Sequence, residues 1–368
     1  MTTPTQDAFW SYAHEDNERS YGRVMELATA IANEYSLLSG EELELFVDRN
    51  DIRWGEAWRE RIETALSDAP LFLAVVTPKY LRSIECRREL IAFSGLVKSR
   101  GLDRLLLPIL YIDVPQLAED SDDEVLALIA RTQFFDWRPL RNKKPGSEEY
   151  STAVEGIARD LMARRAEMLE VSLTRESRTD AQTVDELTAT VDDINSRLDG
   201  WMESVDFDKV ARVHWATIRQ ARLDRVDRLV QGGQPQSAIY STFLKLGQEL
   251  IPIAEDRLIK AQNYARTTIE LDPLVTKAID LVTLHPSESH LLNQLRDGVN
   301  EAIMNMDPAG WEHGYGLPSN IVGLNKAITA ANDALVQSYT HVKEGNELVE
   351  AWRDRLKELD GPAVLRVI

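Results

Sequence analysis

The histidines are the side chains of this sequence that most readily bind metals or move protons near neutral pH. There are six, and they are scattered along the chain: His14, His214, His285, His290, His313 and His341. His285, His290 and His313 could converge on a metal ion, but no cysteine or carboxylate spacing completes a ligand set. The sequence therefore predicts no metal site.

Three motifs that mark common enzyme classes are absent from the sequence. There is no GxGxxG after a predicted strand and no GxxxxGK[ST], which argues against a Rossmann dehydrogenase and a P-loop ATPase. There is also no GxSxG nucleophile elbow. Two carboxylates, Glu85 and Glu89, do lie four residues apart on one face of a predicted helix. Taken alone, however, a glutamate on a surface helix is usually a solvated charge.

The composition narrows the class of protein and its surroundings. The formal net charge of −19 argues against broad binding to nucleic acid or anionic lipid, because both require clustered lysine and arginine. Cys86 is the single cysteine, which excludes an internal disulfide and fits a reducing compartment. The first ten residues lack the pattern of a signal peptide. The longest apolar runs have about eight residues, well short of the roughly 20 of a membrane helix. We therefore expect a cytoplasmic protein that does not bind membranes.

Short strands alternate with helices in the first half of the chain. Strands are predicted at 8–12, 43–48, 71–77, 105–112 and 134–137, and helices at 18–35, 55–67, 82–100, 122–131 and 148–165. The runs at 71–77 and 105–112 are apolar throughout, which is typical of a strand covered on both faces. This order predicts an α/β domain with a five-stranded parallel sheet.

The second half has no strand pattern and contains long segments with apolar residues at helical spacing. We interpret residues 166–200 as a linker or an exposed helix and residues 201–368 as an all-α helical bundle. Helix breaks are predicted at residues 232–235, Pro273, Pro286 and 307–318, and a further break near Gly345.

Four segments of the first half resemble the TIR (Toll/interleukin-1 receptor) family, in the family's order. Residues 9–16 (FWSYAHED) resemble box 1. Residues 47–58 look like the second strand and the BB loop. Residues 75–90 are similar to the third strand, its Thr-Pro turn and the following helix, and residues 134–137 (FFDW) resemble box 3. The resemblance implies a flavodoxin-like TIR domain over residues 1–165.

The resemblance gives Glu89 a chemical role. In NAD-consuming TIR domains the glutamate of a Cys-x-x-Glu pattern on this helix is catalytic, and here the pattern is Cys86 to Glu89. Cleavage of the bond between nicotinamide and ribose leaves an oxocarbenium-like sugar, whose positive charge a nearby carboxylate stabilises. Family members often carry tryptophan four residues before this glutamate. Here that residue is Glu85, a second carboxylate in place of an aromatic wall.

Further residues are implied to contact NAD+ or to regulate access to it. The end of the first strand is the rim that contacts NAD+ in the family; here it comprises Phe9, Trp10, Ala13 and His14. His14 fits a phosphate contact or an ordinary exposed turn, and Trp54 or Trp10 could replace the missing ring. In the BB loop the charged residues are Arg49, Asp51 and Arg53, which could gate the site, contact a neighbouring TIR domain or simply be solvated. We expect Cys86 to pack in the helix interface.

Two functions remain open from the sequence. The first is an NAD+ glycohydrolase or ADP-ribosyl cyclase, with NAD+ as substrate and no bound cofactor, activated when TIR domains assemble. By resemblance such a protein acts in bacterial antiviral defence. The second is a non-enzymatic adaptor that works only through TIR–TIR association, for which the helical half would provide a dimerisation bundle. A third hypothesis, in which the helical half is the active part, finds no catalytic constellation there.

Overall fold

A computed structural model describes residues 5–47, 71–176, 180–205, 208–305, 317 and 320–359. The chain divides into two compact units, Met1–Glu186 and Leu187–Ile368. The predicted domain boundary at residue 165 falls inside a long helix that ends at Glu176, and the predicted boundary at residue 200 falls inside the next helix. No helix in the described ranges is both long and apolar enough to cross a membrane.

The N-terminal unit is an α/β domain, as predicted. Its elements in chain order are β1 (Thr5–Ser11), α1 (His14–Arg19), α2 (Arg23–Ser39), β2 (Glu42–Phe46), β3 (Leu71–Val76), a 3-10 turn (Tyr80–Arg82), α3 (Ile84–Ser99), a second 3-10 turn (Asp103–Leu105), β4 (Leu106–Leu110), α4 (Glu124–Arg131), β5 (Phe135–Asp136) and α5 (Glu148–Glu176). The single helix predicted at 18–35 is wrong. Tyr21 (φ 56°) and Gly22 (φ 84°) both adopt left-handed backbone conformations and separate α1 from α2.

The five strands form one parallel sheet in the order β2-β1-β3-β4-β5, which confirms the predicted sheet. Every residue of β3 and of β4 is buried, as their continuous apolar sequences indicated. The chain leaves β1 toward β2 and then returns to the other side of β1 with β3. The order therefore reverses between β1 and β3, and this is the switch point where open α/β sheets bind ligands.

Alternation along β1 decides which side chains face α3. Phe9 stacks on Phe72 of β3 with ring centroids 5.1 Å apart, and Phe72 stacks on Phe93 of α3 at 4.8 Å. Phe9 therefore points to the α3 side of the sheet. Since side chains alternate along a strand, Ser11 points to the same side and Trp10 to the opposite one.

The second unit is helical. The elements of this second unit are α6 (Asp180–Val205), α7 (Asp208–Gln231), α8 (Gln236–Leu284), a 3-10 turn (Pro286–Leu292), α9 (Asn293–Asn305) and α10 (Lys326–Leu359). The first residues of α6, up to Glu186, belong to the N-terminal unit. Two predicted breaks are wrong. Pro273 lies inside α8, which also contains Pro252, and α10 continues through Gly345. Extensive packing along both helices stabilises them against the lost hydrogen bond of a proline and the flexibility of a glycine.

Helices α8 and α10 run parallel and close together. Tyr264 of α8 donates a hydrogen bond to Asn346 of α10 at 3.0 Å. Further toward the C-terminal ends of both helices, Trp352 of α10 donates to Asp272 of α8 at 2.6 Å. Partner positions therefore advance together along both helices. At Gly345 the helices approach so closely that a Cβ atom would overlap the Tyr264 ring.

Candidate active site at the sheet switch point

The candidate site lies at the carboxyl edge of the sheet, where β1 and β3 end side by side. Ser11 is the last residue of β1, and Thr77 follows directly after β3. The connection after β1 leads into α1 and the connection after β3 leads into α3. The two loops therefore flank the crevice that the reversal of strand order creates.

Glu89 of α3 is fixed at this crevice by Ser11. The Ser11 hydroxyl donates a hydrogen bond of 2.7 Å to Oε2 of Glu89. Ser11 is only 2% exposed, while Glu89 is partly exposed. The strand thus provides a buried donor, and the helix presents a carboxylate that remains accessible to solvent. A carboxylate so placed can stabilise a positive charge that develops in the crevice.

Tyr80 lies beside Ser11, in the buried part of the site. Its hydroxyl oxygen lies 3.2 Å from the Ser11 hydroxyl oxygen, and it donates to the backbone carbonyl of Cys86 at 3.2 Å. The side chain is fully buried, and this burial raises the pKa of Tyr80 well above its usual value, with smaller contributions from Cys86 and Glu89. The phenol is therefore neutral and serves as a hydrogen-bonding group.

Cys86 is a buried residue of α3, as expected from the sequence. It is 6% exposed, and burial raises the pKa of its thiol to about 12. Its backbone N–H donates to the side chain of Ser83, the N-cap of α3, at 3.3 Å. A buried thiol that stays protonated at neutral pH is not a nucleophile.

Two contacts connect the loop after β1 with the loop after β3. Thr77 donates its hydroxyl proton to Asp16 of α1, and the backbone N–H of Tyr80 donates back to the Thr77 hydroxyl at 3.0 Å. Lys79 forms an ion pair with Glu15. These contacts align both rims of the crevice, and they place a cation at its edge.

Arg87 holds α3 in the orientation that brings Glu89 to the crevice. Its guanidinium is 3% exposed and donates two hydrogen bonds of 2.9 Å to Asp123, the N-cap residue of α4. A third bond of 3.3 Å reaches the carbonyl of Leu81 in the 3-10 turn. One side chain thus joins α3, α4 and the turn after β3.

The residues predicted to contact NAD+ are distributed differently from the expected rim. Phe9 and Trp10 are 0% and 1% exposed, so they belong to the core, and Trp10 lies on the opposite side of the sheet from Glu89. The side of the sheet that Trp10 faces follows from the alternation of side chains along β1. Ala13 caps α1 and is almost fully buried, whereas His14 is exposed, with its ring centroid 5.1 Å from that of Tyr12.

Glu85 is exposed in the first turn of α3 and accepts a hydrogen bond of 3.1 Å from Ser83. Trp54 lies outside the described residues, and so do the charged residues predicted for the BB loop, which are Arg49, Asp51 and Arg53.

The sequence did not single out Ser11, Tyr80, Thr77 or Lys79 as site residues. The sequence did contain one indication of Ser11. This residue ends an apolar strand at the predicted ligand-binding edge, and it faces the same side of the sheet as Phe9 because the two are two residues apart. The partnership with Glu89 joins positions 78 residues apart, and no local pattern encodes it.

Comparison with known proteins identifies the N-terminal unit. The family model for the TIR domain matches residues 9–150, which confirms the resemblance of the four segments. The match begins within β1, includes the residues of the candidate site and ends before the helical unit. No curated protein matches the chain, and no solved structure matches it.

Proposed function

Starting from the TIR domain that residues 9–150 form, we propose that this protein cleaves NAD+ between nicotinamide and ribose. The observation that supports the proposal is the position of Glu89. Its carboxylate lies at the switch-point crevice, is accessible to solvent, and is held by a buried hydroxyl from the end of β1. NAD+ is the substrate in this proposal and no further cofactor is required.

The proposed chemistry needs one carboxylate. As the bond between ribose C1′ and the nicotinamide nitrogen breaks, both electrons leave with neutral nicotinamide, and positive charge develops on the sugar. Glu89 stabilises that charge. Water then adds to C1′ and releases a proton, which yields ADP-ribose. In a cyclase, a nucleophilic atom of the same ADP-ribose molecule takes the place of water. Nicotinamide is a good leaving group, so a second carboxyl group acting as acid is not needed.

The rims of the crevice offer cationic and aromatic contacts for the rest of the substrate. His14 is exposed at the start of α1, and Lys79 lies in the loop after β3. We propose that both contact the pyrophosphate, whose negative charge would compete with Glu15 for the Lys79 ammonium group. Glu85 lies one helical turn from Glu89 at the outer edge of the same site.

We further propose that activity depends on assembly. TIR domains commonly self-associate, and the helical unit is the part of this chain available to sense a trigger or to set the oligomer. A role in bacterial antiviral defence, through NAD+ depletion or a cyclic product, is part of the same proposal. Turnover per molecule should then increase as the protein concentration rises.

The test measures NAD+ loss and nicotinamide release over time, with the products separated by chromatography. Wild type is compared with Glu89→Gln, which preserves side-chain size and removes the charge. The matched control is Glu155→Gln, a partly exposed glutamate of α5 that pairs with Arg159 one turn away. Both substitutions remove one negative charge from a helix of the same unit, and both variants are checked for folding by circular dichroism.

The expected result is nicotinamide release by wild type and Glu155→Gln and a loss of at least a hundredfold in Glu89→Gln. The second product then separates hydrolase from cyclase. If no variant turns over NAD+ even when clustered on beads, the enzyme proposal fails. The adaptor function would then be the one to test, through TIR–TIR association that persists in Glu89→Gln.

A further inference from the structure

The hydroxyl of Ser11 stands between two oxygen atoms of the site. Oε2 of Glu89 lies 2.7 Å away on one side and the Tyr80 hydroxyl 3.2 Å away on the other. A serine hydroxyl carries one proton and can donate only one strong hydrogen bond at a time. Where that proton goes therefore determines how the three groups are connected.

We propose that Ser11 is the positioning residue of Glu89: its single proton is committed to Oε2 and holds the carboxylate ionised and oriented at the crevice. An ionised carboxylate can only accept hydrogen bonds, so the Ser11–Glu89 bond has one possible direction. The Tyr80 hydroxyl lies further away, at 3.2 Å, and does not take that proton. The catalytic meaning of this inference rests on the proposed function, but the bond itself does not.

Tyr80 donates its own proton to a different group. Its phenol stays protonated because the side chain is completely buried, so it has one proton to offer. It donates that proton to the Cys86 backbone carbonyl at 3.2 Å. The Cys86 thiol is also neutral in this environment. Neither group adds a negative charge beside Glu89.

Two charged residues of α3 close to Glu89 in the chain have partners of their own. Glu85 is exposed and bonded to Ser83, and Arg87 directs its guanidinium to Asp123 on the far side of the helix. Tyr80 and Cys86 face Glu89 from the turn and from α3. Ser11 is the group from β1 that donates to its carboxylate. A hydrogen bond to the charged form favours ionisation, so its removal should make Glu89 harder to ionise.

The first measurement is a carboxyl ¹³C NMR titration of selectively labelled full-length protein. The Glu89 resonance is assigned by its absence in Glu89→Gln. In Ser11→Ala the titration midpoint should rise by about one pH unit, which is a tenfold change in the ionisation equilibrium. Ser99→Ala is the control, since it removes a buried hydroxyl from the other end of α3 that donates to Leu96. Its midpoint should match wild type.

The kinetic measurement connects the bond to catalysis. In Ser11→Ala, kcat for NAD+ cleavage should fall about tenfold with KM nearly unchanged, and the acidic limb of the kcat profile should move up by the same pH unit. Ser11→Thr keeps the hydroxyl and should restore the acidic limb. Ser11→Cys has nearly the size of serine with a weak donor, so its midpoint should fall between those of wild type and Ser11→Ala.

The outcomes separate the two proposals. An unchanged Glu89 midpoint in folded Ser11→Ala or Ser11→Cys overturns the positioning role, whatever the activity. A raised midpoint in a protein without any NAD+ turnover supports the bond and overturns the proposed enzyme function. A lower kcat without a change in midpoint or in the acidic limb would mean that Ser11 acts only through packing, which also overturns the inference.

Discussion

Replacing Arg87 by alanine should strongly destabilise the N-terminal unit. The guanidinium is 3% exposed and forms two hydrogen bonds to Asp123 and one to the Leu81 carbonyl. Removing one partner of a buried ion pair costs about 3–5 kcal/mol, because the other charge is left without its partner. The Asp123 side chain is 20% exposed, so water can reach it in part. We therefore expect the lower end of that range, about 3 kcal/mol.

The partner substitution isolates the pairwise contribution. Asp123 also caps α4, since its Oδ1 accepts from the N–H groups of Val125 and Leu126. Asp123→Asn removes the charge and keeps a residue that caps helices equally well. The double variant should then be less destabilised than the sum of the two single variants, with a coupling of about 2 kcal/mol.

The assay must report on the N-terminal unit alone, because the chain has two compact units. Hydrogen exchange with mass spectrometry, followed across a urea series, gives separate free energies for peptides from β3 and α3. If Arg87→Ala costs less than about 1 kcal/mol in those peptides, or if the two substitutions are additive, the ion pair does not hold α3 in place. The helical unit, which contributes no residue to this pair, should keep its exchange pattern.

Two further predictions concern close packing and thiol chemistry. Gly345→Ala should destabilise the helical unit by about 1–3 kcal/mol, because the new Cβ would meet the buried Tyr264 ring. Gly200→Ala, where a Cβ would have nothing within 4 Å, should instead stabilise its helix by about 0.5–1 kcal/mol. Denaturant unfolding measures the free energy of unfolding of both variants, and shifts of the same sign would contradict the close approach at Gly345. Because burial raises the pKa of Cys86 to about 12, its thiolate forms only as the pH approaches that value. Iodoacetamide at pH 8 should therefore modify the folded protein far more slowly than the urea-unfolded chain, and equal rates would refute the buried thiol.

The sequence predicted the sheet because burial leaves a direct trace in composition. Strands β3 and β4 are covered on both faces, so each is an uninterrupted apolar run that no surface strand resembles. The alternation of β1 likewise encodes that Phe9 and Ser11 share a face. Phe9 and Trp10, which the resemblance placed at the rim, both lie within the covered part of the strand.

Other features depend on contacts that local patterns do not record. Pro273 was predicted to end a helix, yet α8 continues through it beside α10. The break between α1 and α2 depends on a left-handed tyrosine, Tyr21, which propensity disfavours. The bond between Ser11 and Glu89 joins residues far apart in the chain. Such features follow from tertiary packing, which outweighs local preference.

The two glutamates of α3 show why spacing alone could not identify the site. Glu85 and Glu89 share a helix face and a chemical group, and the sequence treats them alike. Their partners differ. Glu85 lies in the first turn, where the helix dipole and Ser83 satisfy an exposed charge. Glu89 lies one turn further on, where a buried hydroxyl from another element holds it.

That difference bears on the missing aromatic wall of the family pattern. Of the two tryptophans predicted to replace it, Trp10 lies on the opposite side of the sheet and Trp54 lies outside the described residues. Glu85 lies at the outer edge of the site and is bonded to Ser83, whereas Glu89 is bonded to Ser11. In the proposed function, the glutamate at position 85 therefore changes how a nicotinamide ring is held, while the Ser11–Glu89 bond stays intact. Binding of substrate, rather than the positioning of Glu89, is the step on which this departure should act.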